Sequence, residues 1–283
     1  VTPLVVVAVL TAAVTHAAWN AIAHGIKDQL LAFTLVGSGG AVCGAVLVAV
    51  SPLPAAGAWP LLIASALLHV VYQALLMRSF RLGDFGQMYP IARGTAPLVV
   101  TVLAAVFVNE LPDAWALTGV ALASAGLLGV ALWGIRGSGA RPHWPAITAA
   151  VATGLAIASY TTVDGVGVRA SGTPLGYIGW LMLLEGLAIP AYAVASRRRA
   201  LFAQLRPFAA RGLLGGVLSV FAYGLVLWAQ TRAPLAPIAA LRESSIIVGA
   251  AIGAIFLKER FGAPRIAAAG LMVVGIGLML HTG

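Results

Sequence analysis

The sequence predicts an all-α integral membrane protein, with ten transmembrane helices folded as two inverted five-helix repeats. Three observations carry that expectation. Of 283 residues, 61% are hydrophobic and 9% are charged, whereas a soluble globular domain carries about 25% charge. The apolar residues gather into ten runs, each near the ~20 residues that a helix needs to cross the hydrocarbon core. The segment Met88–Glu110 returns in related form as Pro237–Glu259, at an offset of 149 residues.

The ten runs are roughly 3–25, 30–50, 58–80, 86–108, 113–134, 144–169, 174–196, 208–231, 235–257 and 263–281. Between them lie Lys27-Asp28, Ser51-Pro52-Leu53-Pro54, Arg81–Asp84, Leu111-Pro112-Asp113, Arg136–His143, Ser171–Pro174, Arg197–Pro207, Arg232–Pro234 and Lys258–Gly262. Proline and glycine at these points stop helices and turn the chain. In the first run Ala21-Ile22-Ala23 imitates a signal-peptidase site, but Asn20, His24 and the lack of a basic flank predict a retained span. The formal net charge of +9 sits in the breaks, which marks it as membrane-flanking charge and excludes a nucleic-acid face. The odd-numbered loops hold 13 of the 17 basic residues. The positive-inside rule then sets those loops in the cytoplasm and both termini outside. Cys43 is the single cysteine, which rules out an intrachain disulfide and a cysteine metal cluster.

The 149-residue offset sets Glu110 on Glu259, Arg93 on Arg242, Thr95 on Ser244, Val99 on Val248, Ala105 on Ala254 and Phe107 on Phe256. His24-Gly25 falls on Asp164-Gly165 at 140, and Tyr72 on Tyr223 at 151. Small loop insertions between two halves produce such drift, and the halves are 1–138 and 139–283. Five spans per half is an odd number, so the halves enter the membrane from opposite sides. That inverted layout places a substrate near the midplane and alternates its access.

A charge near the bilayer centre costs roughly 2.5–3.5 kcal/mol, so an ionisable residue inside a span is a functional candidate by default. Arg93 and Arg242 lie about 10 Å into their spans, at about 1.5 Å per residue. Either guanidinium could hold a substrate carboxylate bidentately or lock a gate against an acid. The acids available within spans are Asp164, Glu185 and Glu243. Glu243 adjoins Arg242 and cannot share its face, so its partner belongs on another helix. Glu185, in the middle of span seven, could equally bind a proton. Buried structural ion pairs are the plain alternative for the whole set.

His16, Asn20 and His24 fall on one face of span one beside Trp19, and Tyr160 and Asp164 form the matching stripe in span six. They line a cavity or join helices by hydrogen bonds. Tyr89 stands one turn before Arg93, where Pro90 and Pro97 each free a carbonyl one turn earlier, as is tolerated at depth beside protein or a watery cavity. Tyr72, Trp180, Tyr223 and Trp228 complete the aromatic inventory of the spans, suited to a flat, apolar or cationic guest or to packing. Ser245 adds a hydroxyl beside Arg242. Gly37, Gly39, Gly40 and Gly44 read as close helix contacts. His69 has no carboxylate or second histidine near it in sequence. The chain contains no phosphate-binding G-x-x-x-x-G-K-[ST], no H-E-x-x-H and no G-x-S-x-G. ATP, a metal, a cofactor and an enzymatic role are therefore not expected.

Ten spans in two halves, with Asn109-Glu110 and Lys258-Glu259 at the turns after spans four and nine, resemble the drug/metabolite transporter superfamily, EamA type. That family's repeat ends in Gly-Glu followed by glycines at about +9 and +16. Here Glu110 is followed by Gly119 and Gly126, and Glu259 by Ala268 and Gly275; neither turn has glycine before the acid. More narrowly, the chain is similar to YddG-type exporters of aromatic amino acids. The resemblance implies a multi-pass protein of a bacterial inner membrane, with both termini periplasmic. It would export small metabolites, aromatic or bulky apolar amino acids foremost, through a central alternating-access cavity. The residues assigned to that cavity are His16, Trp19, Asn20, Tyr72, Tyr89, Arg93, Tyr160, Trp180, Glu185, Tyr223, Arg242 and Ser245. Arg93, Arg242, Glu185, Glu243 and Asp164 are the gating or ion-pair candidates. The alternative within the superfamily is a carrier of cationic drugs or of another metabolite, such as a nucleotide sugar.

Overall fold

The computed structural model describes residues 1–24, 26–82, 85–137, 143–248 and 263–280. Among these, the regular structure is entirely helical: α1 (Pro3–His24), α2 (Gln29–Val50), α3 (Trp59–Leu82), α4 (Phe85–Leu103), α5 (Ala114–Gly137), α6 (Trp144–Ser171), α7 (Pro174–Gly186), α8 (Ala188–Arg197), α9 (Ala200–Leu205), α10 (Ala209–Gln230), α11 (Leu235–Arg242) and α12 (Ala263–Leu280). Among the described residues, seven stretches are long and apolar enough to cross a membrane, and Ala114–Val130 and Ile266–Met279 are shorter apolar helices. The protein is a multi-pass membrane protein. The expected ninth span is helical through α11 and residues 245–248; the rest of it, with Ala254, Phe256 and the Lys258-Glu259 turn, lies outside the described residues.

Sequence chemistry sets the helix ends. An aspartate before the first turn accepts one of the amides that a helix start leaves without a partner. Asp28 caps α2 by accepting the Leu31 N–H at 3.2 Å, and Asp113 caps α5 by accepting that of Ala116 at 2.9 Å. Thr173 caps α7, whose first position is Pro174, and Gly172 makes the preceding turn at φ +70.

Three of the expected spans are interrupted. Span seven breaks at Leu187, because Pro190 has no N–H to return to the Gly186 carbonyl. Span four closes with a π-helical turn, Ala104–Val108, which ends at Asn109 in the left-handed conformation at φ 55. Span nine tightens at Glu243-Ser244, where the Glu243, Ser244 and Ile246 amides bond three residues back rather than four.

Two compact units divide the chain, and each draws on both sequence halves. The first comprises Val1–Val7, Val71–Thr162 and Arg232–Gly283. In it α5 packs on α12 through Gly119 and Gly275, each of which would drive an added Cβ into the other's carbonyl oxygen. A Cβ added at Gly126 would stand 2.9 Å from the Ala268 carbonyl oxygen in the same seam. Gly94 lets α5 close on α4, and Gly154 lets α6 close on Ala92 and Thr95. Val100, Ala104, Ala158, Leu235 and Ala239 form a core between α4, α6 and α11.

The second unit comprises Ala8–Val70 and Val163–Thr231. Helix α2 is its centre. Gly37 and Gly44 seat α7 at the Gly186 and Gly179 carbonyls, 3.0 and 2.7 Å from an ideal Cβ, and Gly39 seats α10 at the Gly212 carbonyl, 3.0 Å away. Apolar side chains gain nothing by leaving lipid for protein, so small residues that admit close backbone contact supply the attraction between spans. At the end of α8 the Arg197 guanidinium clasps Asp28 bidentately, at 2.7 and 3.0 Å.

Candidate functional site

The charged site residues expected from the sequence fall into two clusters, one within each unit. In the first unit Arg93 comes from α4, one turn after Tyr89. Pro97 lies inside the same helix and has no N–H to return to the Arg93 carbonyl, so the helix is locally loosened at the arginine itself. Gly94 brings α5 close enough to seal that turn with Leu127 and Leu128. Arg93 is thereby 3% exposed and needs a partner inside the protein.

Glu243 is that partner, with its Oε2 2.7 Å from Arg93 Nε and the residue 1% exposed. The acid lies on the tightened turn after α11, and the Arg242 guanidinium also reaches it electrostatically. Arg93 Nη2 donates to Ser245 Oγ at 3.4 Å. The Arg93 guanidinium carbon stands 5.9 Å from the Tyr89 ring centroid, within reach of a cation–π attraction. Tyr72 and Tyr160 meet edge to face at 5.4 Å, a favoured geometry for two rings, and both feel the charge of Arg93. Glu243 Oε1 and Ser244 Oγ are buried without a hydrogen-bond partner among the described residues. The structure thus gathers Tyr72, Tyr89, Arg93, Tyr160, Arg242, Glu243 and Ser245 around one desolvated pair of opposite charges.

The second unit holds the other acids. Asp164 on α6 is 0% exposed and accepts hydrogen bonds from two tyrosines, Tyr177 at 2.9 Å and Tyr223 at a shorter distance. Glu185 on α7 is 8% exposed. Between them stands His69 on α3, with Nε2 4.0 Å from Asp164 Oδ2 and Nδ1 3.6 Å from Glu185 Oε2. Nδ1 also lies 3.0 Å from the Ser65 carbonyl oxygen and 3.2 Å from its hydroxyl. The Tyr223 ring meets the imidazole edge-on at 5.5 Å.

Two members of this cluster escape a reading of the sequence. His69 has no acid near it along the chain because α6 and α7 supply both carboxylates. Tyr177 stands two turns before Glu185 on α7, and that i, i+8 spacing is the signal for it.

His16, Trp19 and Asn20 bond to one another along α1. The Trp19 indole donates to His16 Nδ1 at 3.2 Å and the Asn20 amide to the His16 carbonyl at 2.8 Å. Trp180 packs edge-on against Trp59 at 5.0 Å, on the core that Tyr177 occupies. Glu110 is a helix cap: its Oε2 accepts the backbone N–H of Leu235, the first residue of α11, at 2.7 Å. Among the described residues, no group of His, Cys, Asp and Glu has an arrangement that could hold a metal ion.

Residues 144–281 match the EamA-like transporter family. No curated protein matches the chain. A solved crystal structure of a protein aligns with a TM-score of 0.72 at 14% identity, covering 99% of this chain and 96% of that one. At that identity the likeness shows the fold alone.

Proposed function

We propose that the protein is a secondary transporter or facilitator that exports small zwitterionic or amphipathic metabolites, with aromatic and bulky apolar amino acids as its foremost substrates. The observation that carries this reading is the buried Arg93–Glu243 pair under Tyr89. An α-amino acid brings one carboxylate and one ammonium, the two charges that can exchange into such a pair. The substrate carboxylate takes the Arg93 fork, and its ammonium takes Glu243 and the unpartnered Glu243 Oε1 and Ser244 Oγ. A buried oxygen left without a partner costs about 1–3 kcal/mol, which the ammonium recovers. Tyr72, Tyr89 and Tyr160 offer ring faces to an aromatic side chain.

The family match over residues 144–281 supports carriage of a small solute. The 149-residue offset supports two inverted repeats, 1–138 and 139–283, that alternate access across an inner membrane with both termini periplasmic. A second reading, a carrier of cationic compounds, is favoured by the buried carboxylates Asp164 and Glu185, which would attract an organic cation.

Uptake into proteoliposomes separates the two. Tryptophan and phenylalanine are expected to show saturable flux that Arg93→Ala and Glu243→Gln each reduce at least tenfold. Saturable flux of organic cations with none of amino acids overturns the amino-acid reading.

A further inference from the structure

We propose that His69, Asp164 and Glu185 form a proton-binding site and that the proton they carry is coupled to solute movement. The placing of the buried Glu185 carboxylate against the His69 ring carries the proposal. Nε2 of His69 faces Asp164 Oδ2 at 4.0 Å, while Nδ1 faces Glu185 Oε2 at 3.6 Å and the Ser65 carbonyl at 3.0 Å. The Ser65 carbonyl lies at hydrogen-bond distance from the ring, whereas both carboxylates stand at ion-pair distance from it. Glu185 Oε2, in a residue 8% exposed, has no hydrogen-bond partner among the described residues and lies 3.6 Å from the ring nitrogen. A buried carboxylate oxygen without a donor, 3.6 Å from an imidazole nitrogen, is satisfied by one added proton on the Glu185 carboxyl.

Among the described residues, titratable groups from several helices face the cluster. Helix α3 contributes His69, α6 Asp164, α7 Tyr177 and Glu185, and α10 Tyr223; Cys43 of α2 packs at the edge of the same core. Both tyrosines donate to Asp164, so its two oxygens are engaged, and Glu185 and His69 are the members left to exchange a proton. The charge of the cluster changes by one unit with that proton, and no bond other than an N–H or O–H forms or breaks. At such burial a unit of charge is costly enough to bias which conformation the helices adopt. That is the requirement for coupling. Proton binding stands on the geometry alone; the coupling rests on the transport reading above.

The test has one arm that needs no transport. In difference infrared spectra of the purified protein, the C=O stretch of a protonated carboxyl is expected to titrate with pH. Glu185→Gln should remove that band, and Tyr177→Phe, which keeps the ring, should shift its midpoint. If no carboxyl band titrates in the wild type, or if the band survives both Glu185→Gln and Asp164→Asn, the site is not a proton site.

In the second arm a tryptophan gradient is imposed across proteoliposomes holding a trapped pH-sensitive dye. Wild-type protein is expected to move protons with tryptophan, and Glu185→Gln should lower the ratio of protons to tryptophan at least tenfold. Saturable tryptophan flux with no proton movement overturns the coupling. A band that titrates and is lost in Glu185→Gln, together with no flux of any solute, leaves the proton site standing and overturns both the transport reading and the coupling.

Discussion

The carboxylate of Glu110 accepts the backbone N–H of Leu235 at 2.7 Å, across 125 residues of chain. Leu235 opens α11, and Pro234, in the cap position, offers that helix no side-chain acceptor. An acid from the end of one span therefore caps the start of the helix that delivers Arg242 and Glu243. A charge-assisted hydrogen bond of this kind is worth about 1.5–3 kcal/mol. Glu110→Ala is expected to lower unfolding stability in detergent by that amount, and Glu110→Gln by less, because the amide oxygen still accepts. Equal losses in the two variants would show that the hydrogen bond contributes nothing.

The residue before that acid makes the turn. Asn109 sits at φ 55, and the Glu110 N–H returns to the Ala104 carbonyl at 3.1 Å. A left-handed residue is needed here, which is the physical content of the glycine expected at this position from the family resemblance. Asparagine is the side chain that tolerates it next best. Asn109→Gly should leave stability unchanged or raise it, whereas Asn109→Val should cost about 1–2 kcal/mol. Thermal unfolding of the pair in one detergent decides it: a valine variant as stable as the glycine variant contradicts the turn argument.

The fold is more legible in the sequence than the site is. Spans follow from local composition, so the ten apolar runs coincide with helices to within a few residues wherever the chain is described. Gly119 and Gly126 stand out by their spacing from Glu110, and both lie in the seam between α5 and α12. The breaks at Leu187 and Glu243 are not visible as breaks, although Pro190 is a sufficient signal for the first. The second has no proline one turn after it, and it coincides with the tertiary contact of Glu243 to Arg93. His69 has no acid nearby in sequence, and that criterion fails for any cluster assembled from four helices. An isolated histidine in the middle of an apolar span is the better clue.

The Arg93–Glu243 pair makes a prediction about stability that is separate from transport. Removing one member of a buried pair strands the other and costs about 3–5 kcal/mol, whereas replacing both with apolar residues of similar volume is often neutral. Arg93→Met and Glu243→Leu are each expected to destabilise strongly, and the double variant to recover most of the loss. A double-mutant cycle by unfolding in detergent reads the coupling directly. Additive losses would mean that the two side chains do not stabilise one another, despite a separation of 2.7 Å.

The Asp28–Arg197 clasp should give the protein an acid-sensitive contact in its second unit. The hydrogen bonds from the Arg197 guanidinium hold the Asp28 carboxyl below its ordinary value, helped by the Leu31 N–H and opposed by partial burial. A group whose folded pKa is depressed contributes stability that is complete above about pH 3.9 and is lost as pH falls through the folded value. Asp28→Asn isolates this charge effect, because asparagine still caps α2. The variant should melt below the wild type at neutral pH, and the gap should close once pH drops beneath the folded value. The Asp28 side chain is 39% exposed, so salt should also narrow the gap. A gap that is constant from neutral to strongly acid pH would show that the loss does not come from the ion pair.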